Sequence, residues 1–567
     1  MLAAPENRFQ HVYFALSALV ASAMLVLVYI SMRSSLNERL REDLAKAQRQ
    51  MIFERPNPHW DYSNSWRRIG NSTLRHEIYS AYFDARTDIV GNVRMDDEQM
   101  TIGSLRIFAI LPERLRDSSI NCIVRFSDFS SQEIKAEEAG AMHDVHNNTF
   151  AAWSIMCPLH ASRRSPLRLP QAVALAYASN RLSHLSPTFI QISYPRNMTN
   201  MFGRSRPTIS VCVGPLHENY SNVLRLVEFV EMYRLQGATH FYFYYVEASE
   251  EVLRVLEHYQ RIGLADVFEW NVQAHMQDVH YAGIVAQFND CVYRANVVDN
   301  FRYAAVVDLD EVVMPLKHNT LADYLRQCDE GRTAGFVFRN VFFHRRDSND
   351  TFNAPSHVLN RLLYTQSKVR RTLEVLPAYI RSKVVVNARA IVEMGNHQVY
   401  RAAPGYADHV VHPTVGLLFH YRDKCINCKM VLIVDYTARR FGSLLFDRVD
   451  NTCLEVFLNR GICDLNVDML KFCSLRRSKE PAIVAPKVAK SSSLRLKDVP
   501  LNDAQLLQVL HAQRERGPLI LALSSAKNSV QTCRKCGTPY ENRQVVENGT
   551  TGELQVVGAC YYNESSS

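Results

Sequence analysis

The sequence predicts an α/β protein: a Rossmann-like domain preceded by a β-rich accessory region and an N-terminal transmembrane helix. Three observations carry this. From Thr208 onward, strand-like and helix-like runs alternate; between His76 and Tyr194 the runs are short and rich in β-branched and aromatic residues; and Val12 to Ile30 is apolar apart from Ser17 and Ser22. The corresponding division is a cytoplasmic tail (1–11), a membrane anchor (12–32), a stem (33–75), the β-rich region (76–205), the α/β domain (206–472), and a linker with a cysteine-containing tail (473–567).

Each element has a local reason. A bilayer core takes about 20 apolar residues in a helix, and Val12 to Ile30 can span it. Ala21-Ser22-Ala23 imitates a signal cleavage site, but the apolar run continues through Met24 to Ile30, which favours an uncleaved anchor over a cleaved signal peptide. The flanking charges, Arg8 before and Arg33, Arg39, Arg41, Lys46 and Arg49 after, would by themselves place the bulk of the chain in the cytosol. Sequons at Asn71, Asn147, Asn197, Asn219, Asn349, Asn548 and Asn563 all follow the span and favour a lumenal domain instead. So do the 13 cysteines, which suit an oxidising compartment.

The β-rich region is expected to hold strands near Ile78–Tyr82, Leu105–Leu111, Ile120–Phe126, Ala172–Ala176 and Thr188–Ile192, with Cys122 and Cys157 as a candidate pair. In the α/β domain, strands are expected at Ile209–Val213, Phe241–Val246, Asp266–Trp270 and Tyr303–Val307. Helices are expected at Val223–Leu235, after Ser249 as N-cap, and at Ile284–Ala295. This βαβαβαβ series predicts a parallel sheet with helices on both faces, and ligands in such sheets sit beyond the carboxyl ends of the strands. Gly335–Phe343 and Lys383–Val386 are further candidate strands.

Hydrophobic residues make up 47% of the chain and charged residues 22%, ordinary globular values. The net charge of +8 is spread along the length, with no arginine-aromatic stripe of the kind that binds nucleic acid.

The sharpest chemical feature is Val306-Val307-Asp308-Leu309-Asp310-Glu311, an apolar strand running into three carboxylates. Alternation along an extended chain directs Asp308 and Asp310 to one site and Glu311 to the other side. Two carboxylates so placed suit a hard divalent cation, Mn²⁺ or Mg²⁺, with positions left for phosphate oxygens.

At these residues the chain resembles glycosyltransferase family 92. The likeness runs from Ser210 to Arg422 and rests on Val211-Cys212-Val213-Gly214-Pro215-Leu216, Leu226 to Tyr233, Leu235 to Tyr242, Asp290-Cys291, Val307 to Glu311, and Phe419-His420-Tyr421-Arg422. The resemblance implies a GT-A fold and inverting transfer of galactose from UDP-galactose to an N-glycan or related polysaccharide, by a type II Golgi membrane protein. It also implies a late histidine completing the metal shell, for which His420 is the candidate and His412 the reserve. Arg422 is a candidate diphosphate ligand, because a guanidinium matches phosphate oxygens in bidentate fashion. Pro215 to Asn219, including Glu218, and Glu247 are placed to touch the nucleoside.

An inverting transferase needs a general base for the acceptor hydroxyl. Asp347 is the first candidate, followed by Asp350, Glu393 and Asp408. Cys425-x-x-Cys428 and Cys533-x-x-Cys536 are read as disulfide partners rather than one zinc site, and an odd cysteine leaves room for a disulfide-linked homodimer. The competing reading is a catalytically inactive, glycan-binding membrane protein that kept the GT-A fold.

Overall fold

The computed structural model describes, in the main, residues 66–69, 76–86, 99–115, 120–162, 168–177, 187–196, 206–272, 278–343, 363–422 and 430–458, with a few helical positions between 22 and 32 and a hairpin within 544–557. Most of the anchor and stem lies outside the described residues. So do Asp347, Asp350, both Cys-x-x-Cys pairs, and six of the seven sequons; Asn219, the exception, is exposed in a loop. Among the described residues no helix is long and apolar enough to cross a membrane.

The accessory region is a nine-stranded sheet. Its centre is β1 (Glu77–Asp84), β2 (Gln99–Pro112) and β3 (Phe150–Ser162), paired antiparallel in that order. The two residues Arg67–Arg68 already pair with β1, so the region begins before residue 76. Cys122 and Cys157 are bonded to each other. Every residue of β1 is buried, because both faces of the sheet are covered. One face packs Ile78, Ala81, Phe83 and Ile107 within the region itself. The other presents Tyr79, Tyr82, Phe108 and Ile110 to Tyr244, Trp270 and Phe288 of the α/β domain, in one shared core.

The α/β domain follows the expected order closely. β4 (Arg206–Val213) leads to α1 (Val223–Leu235), which starts where Asn222 accepts the amide of Arg225 and stops at Gly237, whose φ of 99° suits glycine. β5 (Ala238–Tyr245) leads to α2 (Glu250–Arg261), capped by Ser249 with Glu250 and Glu251 in the first turn, where carboxylates favour the helix N-terminus. β6 (Ala265–Glu269), α3 (Ile284–Tyr293) and β7 (Phe301–Val307) complete the series.

Strands β4 to β7 are parallel, as expected, but the sheet as a whole is mixed. Gly335–Phe343 is not one strand: it breaks at Arg339 into β8 (Thr333–Phe338) and β9 (Asn340–Phe343), which belong to different sheets. With β10 (Lys383–Asn387) and β11 (Ala407–Val410), the seven-stranded order is β6-β5-β4-β7-β10-β8-β11. β10 runs antiparallel to β7 and to β8. This direction brings the start of β10 to the carboxyl end of β7.

The two regions are locked together by a buried polar cluster. Asp290 on α3 is fully buried and accepts 2.5 Å hydrogen bonds from the hydroxyls of Tyr82, on the accessory sheet, and Tyr244, with Arg294 at 3.3 Å. Arg86 likewise reaches from the accessory region to the carbonyls of Arg389 and Ile391. The Cys212–Cys291 disulfide ties β4 to α3 from behind. A hydrogen bond to a buried charge contributes about 1.5–3 kcal/mol. Tyr82→Phe should therefore lower the urea stability of the α/β domain by about that amount; an unchanged urea midpoint for that domain would show the accessory region to be an independent module.

Candidate functional site

The apolar run of β7 ends at Val307, and the chain turns at Asp308–Asp310 before re-extending from Glu311 to Pro315. The Glu311 amide donates to the Asp308 carbonyl at 3.1 Å, closing this turn. Strand alternation consequently fails here, and the three carboxylates go to places the extended-chain reading did not give them.

Asp310 meets His420. The Glu311–Pro315 strand pairs antiparallel with β12 (Gly416–Tyr421), Glu311 opposite His420, and the Tyr421 amide donates to the Asp310 carbonyl at 2.7 Å. This register sets His420 Nε2 3.1 Å from Asp310 Oδ2. His420 Nδ1 faces Glu311 Oε1 at 3.3 Å and the Asn340 amide at 3.0 Å. Glu311 is buried and is thus the carboxylate behind the imidazole, an arrangement that keeps a proton on Nδ1 and leaves Nε2 to bind a ligand. Asn340 Oδ1 is buried without a partner, and an amide flip would turn it toward the same Nδ1 proton.

Asp308 meets a cation that sequence reasoning did not single out. Lys383, at the start of β10 and fully buried, has its ammonium 3.0 Å from Asp308 Oδ2 and 3.7 Å from Glu311 Oε2, and donates to Asn396 Oδ1 at 2.7 Å. Gly214 explains how Asp308 fits: a Cβ there would lie 2.4 Å from Asp308 Oδ1.

The electrostatics follow the geometry. Burial works to raise Asp310, but the His420 hydrogen bond and the charges of Arg225 and Arg422 outweigh it and bring the carboxyl down to about 2. Burial pushes Glu311 up to about 7 despite Lys383. Burial also works against charge on Lys383, yet Asp308 and Glu311 hold its pKa above the ordinary lysine value.

Among the described residues no group of three or more His, Cys, Asp and Glu is arranged to hold a metal ion. The pair Asp310 and His420, with Glu311 behind it, could hold a divalent ion that would leave positions for phosphate oxygens and water. Asp308, turned to Lys383, does not join that pair. His412 does not either: it is exposed before the far end of β12, with Nδ1 2.7 Å from Thr414 Oγ1.

Arg422 and the segments after β4 and β5 lie at the same end of the sheet. Arg422 follows His420 by two residues, and its Nε is buried without a hydrogen-bond partner among the described residues. Residues 215–220 are zipped to the segment after β5 by Val246 N to Leu216 O (2.7 Å) and Tyr220 N to Glu247 O (3.2 Å). Pro215 is buried there, while Glu218 and Glu247 are exposed on the rim. Of the candidate bases, Glu393 is buried and engaged by His143 at 2.8 Å and Arg401 at 3.5 Å, a structural role. Asp408 lies on edge strand β11, its carboxyl raised by burial to about 6.

Carboxylates, a histidine and an arginine gather at the carboxyl end of β7 in a Rossmann-like sheet, and the chain's relatives are glycosyltransferases. Residues 207–449 match the family model for glycosyltransferase family 92. The chain is 24% identical over 247 residues to the beta-1,4-galactosyltransferase galt-1 of Caenorhabditis elegans, covering 43% of this chain and 54% of the relative. The chain thus spans about half the length of the curated relative it matches. Among solved structures it overlaps glucosyl-3-phosphoglycerate synthase of Mycobacterium tuberculosis, in complex with phosphoglyceric acid, at TM-score 0.21 and 12% identity, over 44% of this chain and 82% of that one. It overlaps S. aureus TarS in complex with UDP at the same TM-score, 0.21, and the same identity, 12%, over 54% and 78%. Overlaps of this size carry no argument about the site.

Lys383 is fully buried against two carboxylates, and removing one partner of a buried ion pair costs about 3–5 kcal/mol. Lys383→Met should lose that much stability in urea denaturation; a midpoint equal to wild type would show that Asp308 and Glu311 find their counter-charge elsewhere.

Proposed function

We propose that the chain is a metal-dependent inverting galactosyltransferase that moves galactose from UDP-galactose to a glycan, anchored in the Golgi membrane as a type II protein with its catalytic domain in the lumen. The observation that carries the reading is the Asp310–His420 pair at the end of β7, beside the buried Nε of Arg422. The family 92 match supports glycosyl transfer, and the name of the nematode relative supports galactose as the donor sugar. The sequons and the Val12–Ile30 run support the topology.

In the transfer, the acceptor oxygen bonds to the anomeric carbon while the bond from that carbon to the diphosphate breaks, with the electron pair leaving on UDP. The acceptor proton passes to a carboxylate, for which Asp347 is the first candidate and Asp408 the second. The Asp408 carboxyl is raised by burial to about 6, but it stands on the edge strand opposite Gly335, three strands from β7, which leaves Asp347 ahead of it. Arg422 offers its guanidinium to the diphosphate, and Glu311 keeps the His420 ring oriented. Mn²⁺ or Mg²⁺ held by Asp310 and His420 would neutralise the charge developing on the leaving group. Pro215, Glu218 and Glu247 border the nucleoside.

Asp310→Asn keeps the side chain's size and removes the charge, so the protein should fold and lose about 10²–10³ in turnover of UDP-galactose. His420→Ala should fall similarly and require more Mn²⁺. The measurement is initial rate against Mn²⁺ concentration on a mixed glycan array, with melting curves to confirm folding. Folded Asp310→Asn protein working at the wild-type rate would refute the metal pair. Transfer from another nucleotide sugar, with none from UDP-galactose, would remove the donor assignment alone.

A further inference from the structure

The turn that leads into α3 is strained. Tyr281, Ala282 and Gly283 are all left-handed, with φ of 46°, 53° and 74°. For residues other than glycine this region costs on the order of 1–3 kcal/mol each, so the surroundings must impose it. Trp270 Nε1 donates to the Ala282 carbonyl at 2.8 Å. A Cβ on Gly283 would lie 3.4 Å from Ile110 of the accessory sheet, which therefore packs directly behind the turn. His146, also from the accessory region, stacks on His280 with ring centroids 3.7 Å apart, and the Phe150 amide donates to the Asp278 carbonyl at 3.2 Å.

What these contacts hold up is an aromatic ring in solvent. Tyr281 is 55% exposed, although the residue after it is buried. Its ring meets the edge of His217 at 5.0 Å and 85°. Its hydroxyl pKa is raised by partial burial and then by the charges of Asp308 and Asp310, with Arg422 and Glu218 also within electrostatic reach. The ring thus lies between the carboxylate turn and the loop after β4.

Strand order says which part of a ligand passes there. A diphosphate at Asp310 and Arg422 sits at the end of β7, and β4, β5 and β6 follow to one side, with β10, β8 and β11 to the other. His217 and Glu218 follow β4, Glu247 follows β5, and Tyr281 comes from the β6–α3 connection, so all four occupy one side. The acceptor is left the side of β10 and β8.

We propose that Tyr281 is the stacking platform for the nucleobase of the donor, held in place by the accessory sheet. This rests on the nucleotide-sugar reading above. An aromatic face accepts a planar pyrimidine, and alanine at such a platform typically weakens binding by about 1–3 kcal/mol, roughly 5- to 150-fold.

The test is calorimetric binding of UDP and of inorganic pyrophosphate, both with Mn²⁺, to the whole protein as wild type, Tyr281→Ala, Tyr281→Phe and Tyr281→Trp. The expected result is UDP affinity reduced about tenfold or more in Tyr281→Ala and kept in the Phe and Trp variants, with pyrophosphate affinity unchanged in all. Steady-state assays should show a raised KM for the donor and an unchanged KM for the acceptor. Wild-type binding of UDP with equal binding by Tyr281→Ala, or a rise confined to the acceptor KM, would overturn the assignment while leaving the donor reading intact. Wild-type protein that binds no UDP would overturn both.

Discussion

The pairing of the Glu311–Pro315 strand with β12, Glu311 opposite His420, is the constraint on which the site depends. Hydrophobic burial sets this register: Val312, Val313 and Met314 on one strand and Leu417, Leu418 and Phe419 on the other are all in the core. Both faces of the two strands are buried, so a slip of one residue would exchange every side chain between two packed faces of different shape. The same register delivers His420 to Asp310 and Glu311, residues more than one hundred positions earlier. The chemistry is therefore a by-product of a well-packed sheet and needs no separate folding device.

Charge at the end of β7 is partly offset within the protein before any ligand arrives. Three carboxylates in four positions would repel one another and carry a large desolvation cost if left alone. Lys383 answers Asp308 and Glu311, and His420 answers Asp310 and Glu311. The motif is thereby divided: Asp308 turns to Lys383, while Asp310 turns to His420. The accessory sheet belongs to the same construction, since its Tyr82 satisfies Asp290 on α3 and its Ile110 backs the turn carrying Tyr281.

The α/β half of the fold was legible in the sequence because local signals agreed with one another. Asn222 and Ser249 cap their helices, Gly237 ends the first, and the apolar period between them is unbroken, so α1 and α2 lie where the pattern put them. Less was visible where partners come from far along the chain. Strand β3 alternates, with Ala151, Trp153, Ile155, Cys157 and Leu159 in one core, but Pro158 and the small residues between obscure the pattern; its 13 residues are fixed by pairing along almost the whole of β2. The break at Arg339 arises because β8 and β9 serve two sheets. At the site, Asp310, His420 and Arg422 could be proposed from motif residues, but Lys383 stands in an ordinary-looking strand, and the role of Glu311 follows from a turn that strand alternation does not foresee. Tyr281 carried no sequence signal beyond its proximity to a helix start; its positive φ appears only in three dimensions.

The central claim is that Asp310 and His420 together present one metal position at the end of β7, with the nucleotide laid across β4. The most direct test is a crystal structure of the protein with Mn²⁺ and UDP, using the anomalous signal of the metal to locate it. The account predicts a single anomalous peak within bonding distance of Asp310 Oδ2 and His420 Nε2, shared with diphosphate oxygens, while Lys383 stays on Asp308. A peak elsewhere, or UDP bound away from the carboxyl ends of β4 and β7, would contradict it.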